Sequence, residues 1–378
     1  MAGAGEMEIN PFKLERYYAT REFNVRHNMS ASDCEPLSQA ELIEMADEDM
    51  RFLWDNLKLG YTETRGALLL REEIAKLYTD TSDNDLLVCT PVEGIFIAMQ
   101  VILKKGDHVI CTFPEYQALY EVAQSLECEV ERWPADERQG WRFDPKWLEE
   151  HIRPHTRLVV VNFPHNPTGW LPEARDFKRI VAAARGVGAY LFSDEMYRFL
   201  EDEAACRLPA ACDCYEKAVS LSGMSKAFGM AGVRIGWLAT RDAELRNRLE
   251  AFKDYTTICS SAPSEVLSTI ALRASRQIID RNMTIIRNNL DFLDEFFDGH
   301  SSMFYWNRPL AGTIGFPRML FDRDAAEFCE DVMQKAGVLL LPSNVFGYGG
   351  DHVRVGFGRR DLPAAVDALK NYLAATGL

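Results

Sequence analysis

The sequence predicts an α/β protein with a mostly parallel sheet, flanking helices and a smaller α+β domain. Between about residues 85 and 240, short apolar runs alternate with segments of helical character. Runs of this length with helices between them are typical of strands buried on both faces of a parallel sheet. After about residue 275 a long helical stretch is followed by short, mixed strands and helices, which predicts the smaller domain.

The succession of segments predicts the element order. The strand LLVCT precedes the helix VEGIFIAMQVIL, and the strand HVICTF precedes the helix YQALYEVAQSL. Further apolar runs follow at RLVVVNFP, AYLFSDE, KAVSLSG and RIGWLAT. The stretch SAPSEVLSTIALRASRQIIDRNMTIIRNNLDFLDEFF predicts one long helix or two, and then come MFYW, GTIGF, a helix at AAEFCEDVMQKAG, a strand at VRVGFG and a terminal helix. We therefore expect a large domain over residues 45–275 and a small domain formed by residues 1–44 and 276–378.

The charge composition indicates which kinds of partner the protein can bind. The 378 residues carry 42 basic and 57 acidic side chains, a formal net charge of −15. Such a chain is repelled by nucleic acids and anionic membranes, so we expect a small-molecule substrate instead. The nine cysteines and seven histidines show no metal-binding spacing, no apolar signal core begins the chain, and no uncharged apolar run reaches ~18 residues. We expect reduced thiols, no metal and a cytoplasmic location.

Polar side chains follow the predicted strands, where ligands bind in sheets of this kind. Lys226 comes just after KAVSLSG, in SLSGMSKAFGMAGVRIGW, where an amine can form a Schiff base with a carbonyl compound. Arg234 follows eight residues later between glycines, a setting that suits a phosphate. Alone, each residue has an ordinary explanation: a surface lysine or a structural ion pair.

Two further strand ends carry candidate ligand contacts. Asn166 lies in NFPHNPTGW, where Pro164 and Pro167 hold the turn and would hold the amide rigidly. Asp194 ends the run FSDEMY and can carry a buried negative charge opposite a ligand cation, with Tyr197 one helical turn further on. A plain turn and a helix N-cap are the structural alternatives.

The segment TPVEGIF predicts a helix N-terminus that can bind an anion. Pro91 suits the first helical position because it has no N–H to leave unpaired. The N–H groups of Val92 and Glu93 would then point at the helix entrance. Tyr116 in FPEYQALY follows another strand and can lie flat on a ring, although simple packing also accounts for it.

Together, and in this order, these motifs resemble fold-type I pyridoxal phosphate (PLP) enzymes of the class I and II aminotransferase family. NPTG, DEMY, SKAFGMAGVRIGW and VRVGFG carry the resemblance, which extends from Tyr61 in GYTETRG to Arg354 in VRVGFGRR. It implies PLP as the cofactor and chemistry at the Cα of an L-amino acid through an external aldimine and a quinonoid. Transamination is the expected reaction.

The resemblance also implies residue roles. Lys226 would form the Schiff base and move the proton, Asp194 would keep the ring nitrogen protonated, and Tyr197 would contact the ring oxygen. Tyr61 would reach the phosphate of the neighbouring subunit, which implies a homodimer. Asn166 would contact the ring oxygen and lie beside the substrate, and Tyr116 would cover the ring face. The phosphate would be bound by Arg234, Ser225 and the Val92–Glu93 amides. Arg354 would bind the substrate α-carboxylate.

The sequence departs from the family pattern in the strip NMSASDCEPLS, where a glycine is usual near the substrate carboxylate. With ERYY at 15–18, this strip is loosely similar to capreomycidine or enduracididine synthases, and the capreomycidine synthases cyclise a hydroxylated arginine by elimination and ring closure. Asp33 and Glu35 would favour a cationic side chain, and His27 an acid–base role, unless all three are ordinary loop residues. Elimination with cyclisation is therefore the alternative reaction. A non-catalytic regulator is disfavoured, because Lys226 is present and no spare basic segment exists.

Overall fold

The protein, as a computed structural model, is described over residues 8–377. The helices within that range are α1 (Lys13–Tyr18), α2 (Gln39–Glu44), α3 (Glu48–Asp55), α4 (Leu68–Ala75), α5 (Pro91–Ile102), α6 (Ala118–Ser125), α7 (Pro145–His151), α8 (Ala174–Val187), α9 (Ala211–Cys214), α10 (Ala243–Lys253), α11 (Ala262–Arg273), α12 (Ser275–Gly299), α13 (Ala325–Ala336) and α14 (Leu362–Thr376). The strands are β1 (His27–Asn28), β2 (Leu86–Cys89), β3 (His108–Phe113), β4 (Glu129–Pro134), β5 (Thr156–Asn162), β6 (Tyr190–Asp194), β7 (Ala218–Gly223), β8 (Gly236–Ala239), β9 (Phe304–Tyr305), β10 (Ile314–Gly315), β11 (Arg318–Met319), β12 (Val338–Leu339), β13 (Leu341–Pro342) and β14 (Val353–Gly356).

A seven-stranded sheet forms the centre of the fold, in the order β2-β8-β7-β6-β5-β3-β4. The pairs from β7 through β6, β5 and β3 to β4 are parallel, whereas β8 runs antiparallel to both β2 and β7. Every residue of β2, β6, β7 and β8 is buried, which is the pattern expected of strands covered on both faces. The predicted α/β class with a mostly parallel sheet and flanking helices is confirmed.

One strand of this sheet has no counterpart among the apolar runs. The β4 sequence, EVERWP, has three charged residues among its six, and only Trp133 in it is buried. β4 lies at the sheet edge beside β3, so most of its side chains remain in contact with solvent. The apolar-run criterion therefore finds the central strands and misses this edge strand.

The segments outside the central sheet form short strands and long helices, as expected. The predicted stretch of one or two helices is two, α11 and α12, separated by Ala274. Near the N-terminus, β1 pairs in parallel with β12, and further on β14 lies between β10 and β13 in a three-stranded sheet. These pairings support the proposal that residues 1–44 belong with 276–378, while 45–275 form the larger unit.

Candidate active site

A cavity of about 370 Å³ lies beyond the carboxyl ends of β5, β6 and β7. Parallel strands bring their carboxyl ends to the same edge of the sheet, so side chains distant in sequence meet there. Nine residues predicted from the sequence line the cavity: Val92, Tyr116, Asn166, Asp194, Tyr197, Ser225, Lys226, Arg234 and Arg354.

Lys226 lies in a tight loop directly after β7. Backbone hydrogen bonds close the loop, from Met224 N to Ile235 O at 2.9 Å and from Met230 N to Met224 O at 3.0 Å. The Nζ of Lys226 donates a hydrogen bond to Ser32 Oγ at 2.7 Å. Burial lowers the pKa of the Lys226 amine, because the charged form loses hydration. A larger fraction of the amine is therefore neutral, which is its nucleophilic form.

Asp194 is the last residue of β6 and is 5% exposed. Its Oδ1 accepts a hydrogen bond from Met196 N at 3.1 Å, the local contact expected of a capping aspartate. No ion pair among residues 8–377 includes this carboxylate. Burial raises the pKa of Asp194 to about 7, because the carboxylate loses hydration that the Met196 N–H and the nearby Lys226 charge offset only in part. A cation placed beside this carboxylate would stabilise its ionised form.

Asn166 lies in the turn after β5 and is positioned by its neighbours on both sides. Its backbone N donates to Asn162 Oδ1 at 2.6 Å, at the end of the strand. Its side-chain Oδ1 accepts a hydrogen bond from Arg354 Nη1 at 3.0 Å. The predicted rigid turn and the predicted carboxylate clamp therefore lie in direct contact, although 188 residues separate them in sequence.

Arg354, on β14, is only 1% exposed. Its Nη2 donates to Tyr18 Oη at 2.8 Å and to Ser30 O at 2.9 Å, and its Nε is buried without a partner. Within the part of the chain that the structure describes, no carboxylate pairs with this guanidinium. A buried guanidinium with spare donors and no counter-ion is suited to bind a ligand carboxylate.

The other end of the cavity offers donors for an anion. The Ser225 hydroxyl is buried and has no hydrogen-bond partner among the described residues. Arg234 has a left-handed backbone, with φ of 57°, and its Nη1 donates to Ala231 O at 2.9 Å, while no carboxylate in residues 8–377 pairs with it. Pro91 and Val92, at the start of α5, line the same cavity. Helix N-terminus, hydroxyl and guanidinium together suit a phosphate.

Two tyrosines form part of the cavity wall. The Tyr116 hydroxyl donates to Glu15 Oε1 at 3.3 Å, and the Tyr116 ring centroid lies 5.0 Å from that of Phe12. Burial raises the pKa of Tyr197, whose hydroxyl lies near Ser32 without a hydrogen bond of normal geometry. Burial raises the pKa of Tyr116 as well, so both phenols are protonated at neutral pH, and the Tyr197 hydroxyl is available as a hydrogen-bond donor.

Five candidates from the sequence lie outside the cavity lining. The Glu93 carboxylate accepts hydrogen bonds from Thr90 N and from the hydroxyls of Thr256 and Thr257. Tyr61 is 91% exposed, and His27 lies in β1, where its backbone N donates to Gly337 O at 3.0 Å.

Asp33 and Glu35 are occupied by other groups. Arg359 holds Asp33 through three hydrogen bonds of 2.9 to 3.1 Å. Glu35 Oε2 accepts from Arg360 N at 2.9 Å. The expected contact of these two carboxylates with a substrate is therefore not seen in this arrangement.

Among the cavity residues to which the sequence analysis gave no site role, five come from the N-terminal part of the chain: Leu14, Glu15, Tyr18, Glu22 and Ser32. They lie in α1 and in the irregular segments on either side of β1, which follow no predicted strand of the central sheet. Burial raises the pKa of the Glu22 carboxyl, against the opposing charge of Arg359. The sequence signal that could have indicated these residues is the segment LERYYATRE, which is rich in acidic and aromatic residues and places two glutamates seven residues apart.

Residues 8–377 contain neither a membrane-spanning helix nor a cluster of metal-binding side chains. No helix there is both long and apolar enough to cross a bilayer. No group of three or more cysteine, histidine or acidic side chains there is arranged to hold a metal ion.

Comparison with protein families and with known proteins gives one family match and two similar proteins. The model of the family described as aminotransferase class I and II matches residues 27–369. The chain is 25% identical over 380 residues to capreomycidine synthase of Streptomyces vinaceus, and the alignment covers 98% of this chain and 96% of that protein. It is 24% identical over 366 residues to a probable aspartate aminotransferase of Methanocaldococcus jannaschii, covering 91% and 94% of the two chains.

Comparison with solved structures gives the same architecture. A PLP-dependent aminotransferase from Streptococcus suis superposes with a TM-score of 0.91 at 28% identity, covering 97% of this chain and 98% of that one. The PLP-dependent cyclase OrfR superposes with a TM-score of 0.89 at 24% identity, covering 99% and 100%. The fold is therefore the fold type I of PLP enzymes.

Proposed function

The chain belongs to the family of class I and II aminotransferases, and from this premise we propose that it acts at the Cα of an L-amino acid. The observation that carries the proposal is the arrangement of three groups in one cavity. The Lys226 amine, the buried Asp194 carboxyl and the Arg354 guanidinium all line it. Neither Asp194 nor Arg354 has an oppositely charged side chain paired with it in residues 8–377. Two unpaired, opposite charges beside a free amine suit a substrate and a cofactor that supply the missing partners.

The cofactor of the family is pyridoxal 5′-phosphate, and the cavity fits it. The unpartnered Ser225 hydroxyl, Arg234 and the start of α5 provide donors for a phosphate. The buried Asp194 carboxyl provides a partner for a protonated ring nitrogen, and burial of that carboxyl explains its raised pKa in the absence of such a partner. PLP, when bound, supplies an electron-withdrawing ring that stabilises negative charge at the substrate Cα.

Each residue then has a defined task. Lys226 holds the cofactor through its amine and, when that amine is free, accepts the proton from the substrate Cα. Asp194 keeps the ring nitrogen protonated. Asn166 and the protonated Tyr197 hydroxyl hydrogen-bond the ring oxygen, and Tyr116 covers the ring face. Arg354 binds the substrate α-carboxylate as a bidentate partner.

We further propose that the substrate side chain is cationic, because of Glu15 and Glu22. Both line the cavity, and no cation in the described chain pairs with either. Glu15 contacts the Tyr116 hydroxyl, and burial raises the pKa of Glu22. A guanidinium or ammonium group would stabilise both carboxylates through charge-assisted hydrogen bonds. The sequence-based proposal of a cationic substrate is thus kept, with Glu15 and Glu22 in place of Asp33 and Glu35.

Two reactions remain candidates. Transamination is the reaction expected from the family. Elimination with ring closure on a hydroxylated arginine derivative is the second candidate, favoured by the two glutamates and by the similarity to a capreomycidine synthase over 98% of the chain. Both reactions begin with removal of the Cα proton, so the residues listed above serve either one.

Product analysis separates the two reactions. The purified protein is incubated with a panel of L-amino acids that includes arginine and its hydroxylated derivatives, with and without a keto acid, and products are identified by mass spectrometry. Turnover that requires the keto acid indicates transamination. Turnover of a hydroxylated arginine without a keto acid, with loss of water, indicates elimination and ring closure. Absence of turnover on every amino acid would refute the proposed function.

A homodimer with shared sites is also proposed, and it rests on Tyr61. Tyr61 is 91% exposed on a loop that Lys253 ties to the loop of Tyr255, by bonds from Nζ to Thr64 O at 2.6 Å and to Ile258 O at 3.2 Å. Tyr255 is 90% exposed beside it. An exposed surface with these two tyrosines is suited to pack against a second copy of the chain.

Mixing two inactive variants tests the shared site. Lys226→Ala and Tyr61→Ala proteins are mixed, unfolded and refolded together. If Tyr61 serves the neighbouring subunit, each hybrid dimer contains one site with an intact Lys226 and an intact Tyr61, and activity returns. Activity no higher than that of the separate variants would contradict the shared site.

A further inference from the structure

Ser32 contacts the amine on which the chemistry depends. Its Oγ accepts a hydrogen bond from Lys226 Nζ at 2.7 Å, and Ser32 lines the same cavity. Ser32 lies in the strip NMSASDCEPLS, and no strand or helix begins there. A lysine side chain has four rotatable carbon–carbon bonds, so a hydrogen bond at its end restricts it strongly.

The strip around Ser32 is fixed by contacts on both sides. Thr313 Oγ1 donates to the Ser32 carbonyl at 2.7 Å, and Arg359 holds the next residue, Asp33, through both carboxylate oxygens. Glu35 N donates to Gly358 O at 2.8 Å. A side chain at Gly358 would place its Cβ 2.3 Å from Asp33 O, so only glycine permits this close approach. The Ser32 hydroxyl is therefore held in place by its backbone.

We propose that Ser32 is a positioning residue for the Lys226 amine, and that Asp33 and Glu35 anchor the strip that presents it. This proposal rests on the proposed function, in which the free amine accepts the Cα proton. When Ser32 accepts one N–H of the neutral amine, the single lone pair of the nitrogen stays free to take up a proton from the cavity. When the amine takes up the Cα proton, the resulting ammonium keeps the same hydrogen bond, now strengthened by charge. The ammonium then returns its proton to the substrate, and the neutral amine is restored.

Exchange of the Cα hydrogen measures this role directly. The holoenzyme is incubated in deuterated water with the best amino acid of the panel, and incorporation of deuterium at Cα is followed by mass spectrometry. We expect Ser32→Ala to slow exchange by about ten- to a hundredfold, since misplacement of a reacting group by about 1 Å costs on the order of 10²-fold. The KM and the PLP content should change little, and Ser32→Thr, which keeps the hydroxyl, should recover most of the rate.

Titration of Lys226 in the full chain without cofactor gives a second readout that needs no substrate. The pH dependence of its modification by an amine reagent is followed by peptide mass spectrometry. Ser32 favours the ammonium over the amine, so Ser32→Ala should lower the midpoint by about half a unit to one unit, the equivalent of one hydrogen bond. Ser32→Thr should retain the wild-type midpoint.

These results separate the two proposals. If no amino acid exchanges its Cα hydrogen in the wild type, the proposed function fails, while the Lys226 titration still decides the role of Ser32. If exchange in Ser32→Ala stays within about twofold of wild type, or if the midpoint of Lys226 is unchanged, the role of Ser32 is refuted. Ser32→Cys, which keeps the size and weakens the acceptor, replaces Ser32→Ala if the latter does not fold.

Discussion

Two regions with different construction face each other across the active-site cavity. One is the sheet wall, defined here by Asn166, Asp194, Ser225 and Lys226, which follow or end the parallel strands β5, β6 and β7. The other is the N-terminal wall, defined by Glu15, Tyr18, Glu22 and Ser32, which come from α1 and the irregular segments on either side of β1. The sheet wall presents the amine and the carboxyl for the chemistry. The N-terminal wall presents the carboxylates of Glu15 and Glu22 to the cavity, while the hydroxyls of Tyr18 and Ser32 contact Arg354 and Lys226.

This difference suggests a division of tasks. Buried strands paired on both sides cannot move without breaking a ladder of hydrogen bonds, so the groups at their ends keep their spacing. An irregular segment tolerates more change in sequence, because it needs only local anchors such as the Asp33–Arg359 pair. We therefore expect substitutions in the sheet wall to abolish chemistry, and substitutions of Glu15 and Glu22 in the N-terminal wall to change which substrate is used. Ser32 is the exception in that wall, because its hydroxyl contacts the Lys226 amine.

The largest effect is expected from Lys226→Ala in the sheet wall. Loss of both the covalent anchor and the proton acceptor should lower turnover by about 10⁴-fold or more. The visible absorption band of the bound cofactor should disappear after dialysis. Borohydride reduction of the wild type, followed by peptide mapping, should place the pyridoxyl group on Lys226. An adduct on another lysine would contradict the assignment, and Lys178→Ala on the exposed face of α8 serves as the control.

Asp194→Asn should have the next largest effect. The amide keeps the shape of the carboxyl but cannot hold the ring nitrogen protonated. A lost charge-assisted hydrogen bond costs about 1.5–3 kcal/mol, roughly ten- to a hundredfold, and the loss in kcat should exceed that because the ring also becomes a weaker electron acceptor. The PLP content, measured by absorbance, should remain substantial. Turnover near that of the wild type would show that Asp194 has another task.

The same variant predicts a change in pH-dependent stability. Burial raises the pKa of Asp194 to about 7 in the cofactor-free fold, whereas an aspartate in the unfolded chain has a pKa of about 3.9. Between these values the folded state binds more protons, so this group makes the free energy of unfolding fall as pH rises from about 4 to about 7. Urea denaturation of the cofactor-free protein at several pH values should show this fall in the wild type and a smaller one in Asp194→Asn. Equal slopes would exclude the raised pKa.

The two walls also differ in what the sequence could predict. Lys226, Asp194 and Asn166 follow apolar runs that are recognisable as buried strands, and the fold brings strand ends together by a general rule. Glu15 and Ser32 follow no recognisable buried strand, and their place in the cavity depends on distant contacts: Tyr116 with Glu15, 101 residues apart, and Lys226 with Ser32, 194 residues apart. The sequence predicted that Asp33 and Glu35 bind the substrate side chain, but Arg359 binds Asp33 and the backbone N of Arg360 binds Glu35. Charge alone did not indicate which carboxylates face the cavity.

Arg354 connects the two walls, and Arg354→Lys tests that connection. Lysine keeps the charge but loses the planar pair of donors that contacts both Asn166 and Tyr18. We expect kcat/KM to fall on the order of a hundredfold, mainly through a higher KM, at nearly unchanged PLP content. Steady-state kinetics and absorbance of the purified variant measure both. A fall in PLP content with an unchanged KM would place Arg354 at the cofactor instead of the substrate.

The smallest effect, and the one that tests the N-terminal wall by itself, is expected from Glu22→Gln and Glu15→Gln. Each change keeps shape and hydrogen bonding but removes one charge, and because the cavity is open to solvent the loss in kcat/KM is expected to be roughly two- to fivefold for each glutamate. The loss should apply to amino acids with guanidinium or ammonium side chains and not to neutral ones. The ratio of kcat/KM for a cationic and a neutral amino acid measures this loss. Glu44→Gln, at an exposed glutamate on α2 outside the cavity, is the matched control.

If the ratio is unchanged in both variants, or if the wild type prefers neutral or acidic amino acids, the N-terminal wall does not select a cation. If only Glu15→Gln changes the ratio, the hydrogen bond from Tyr116 identifies Glu15 as the residue that orients the cationic group relative to the ring face.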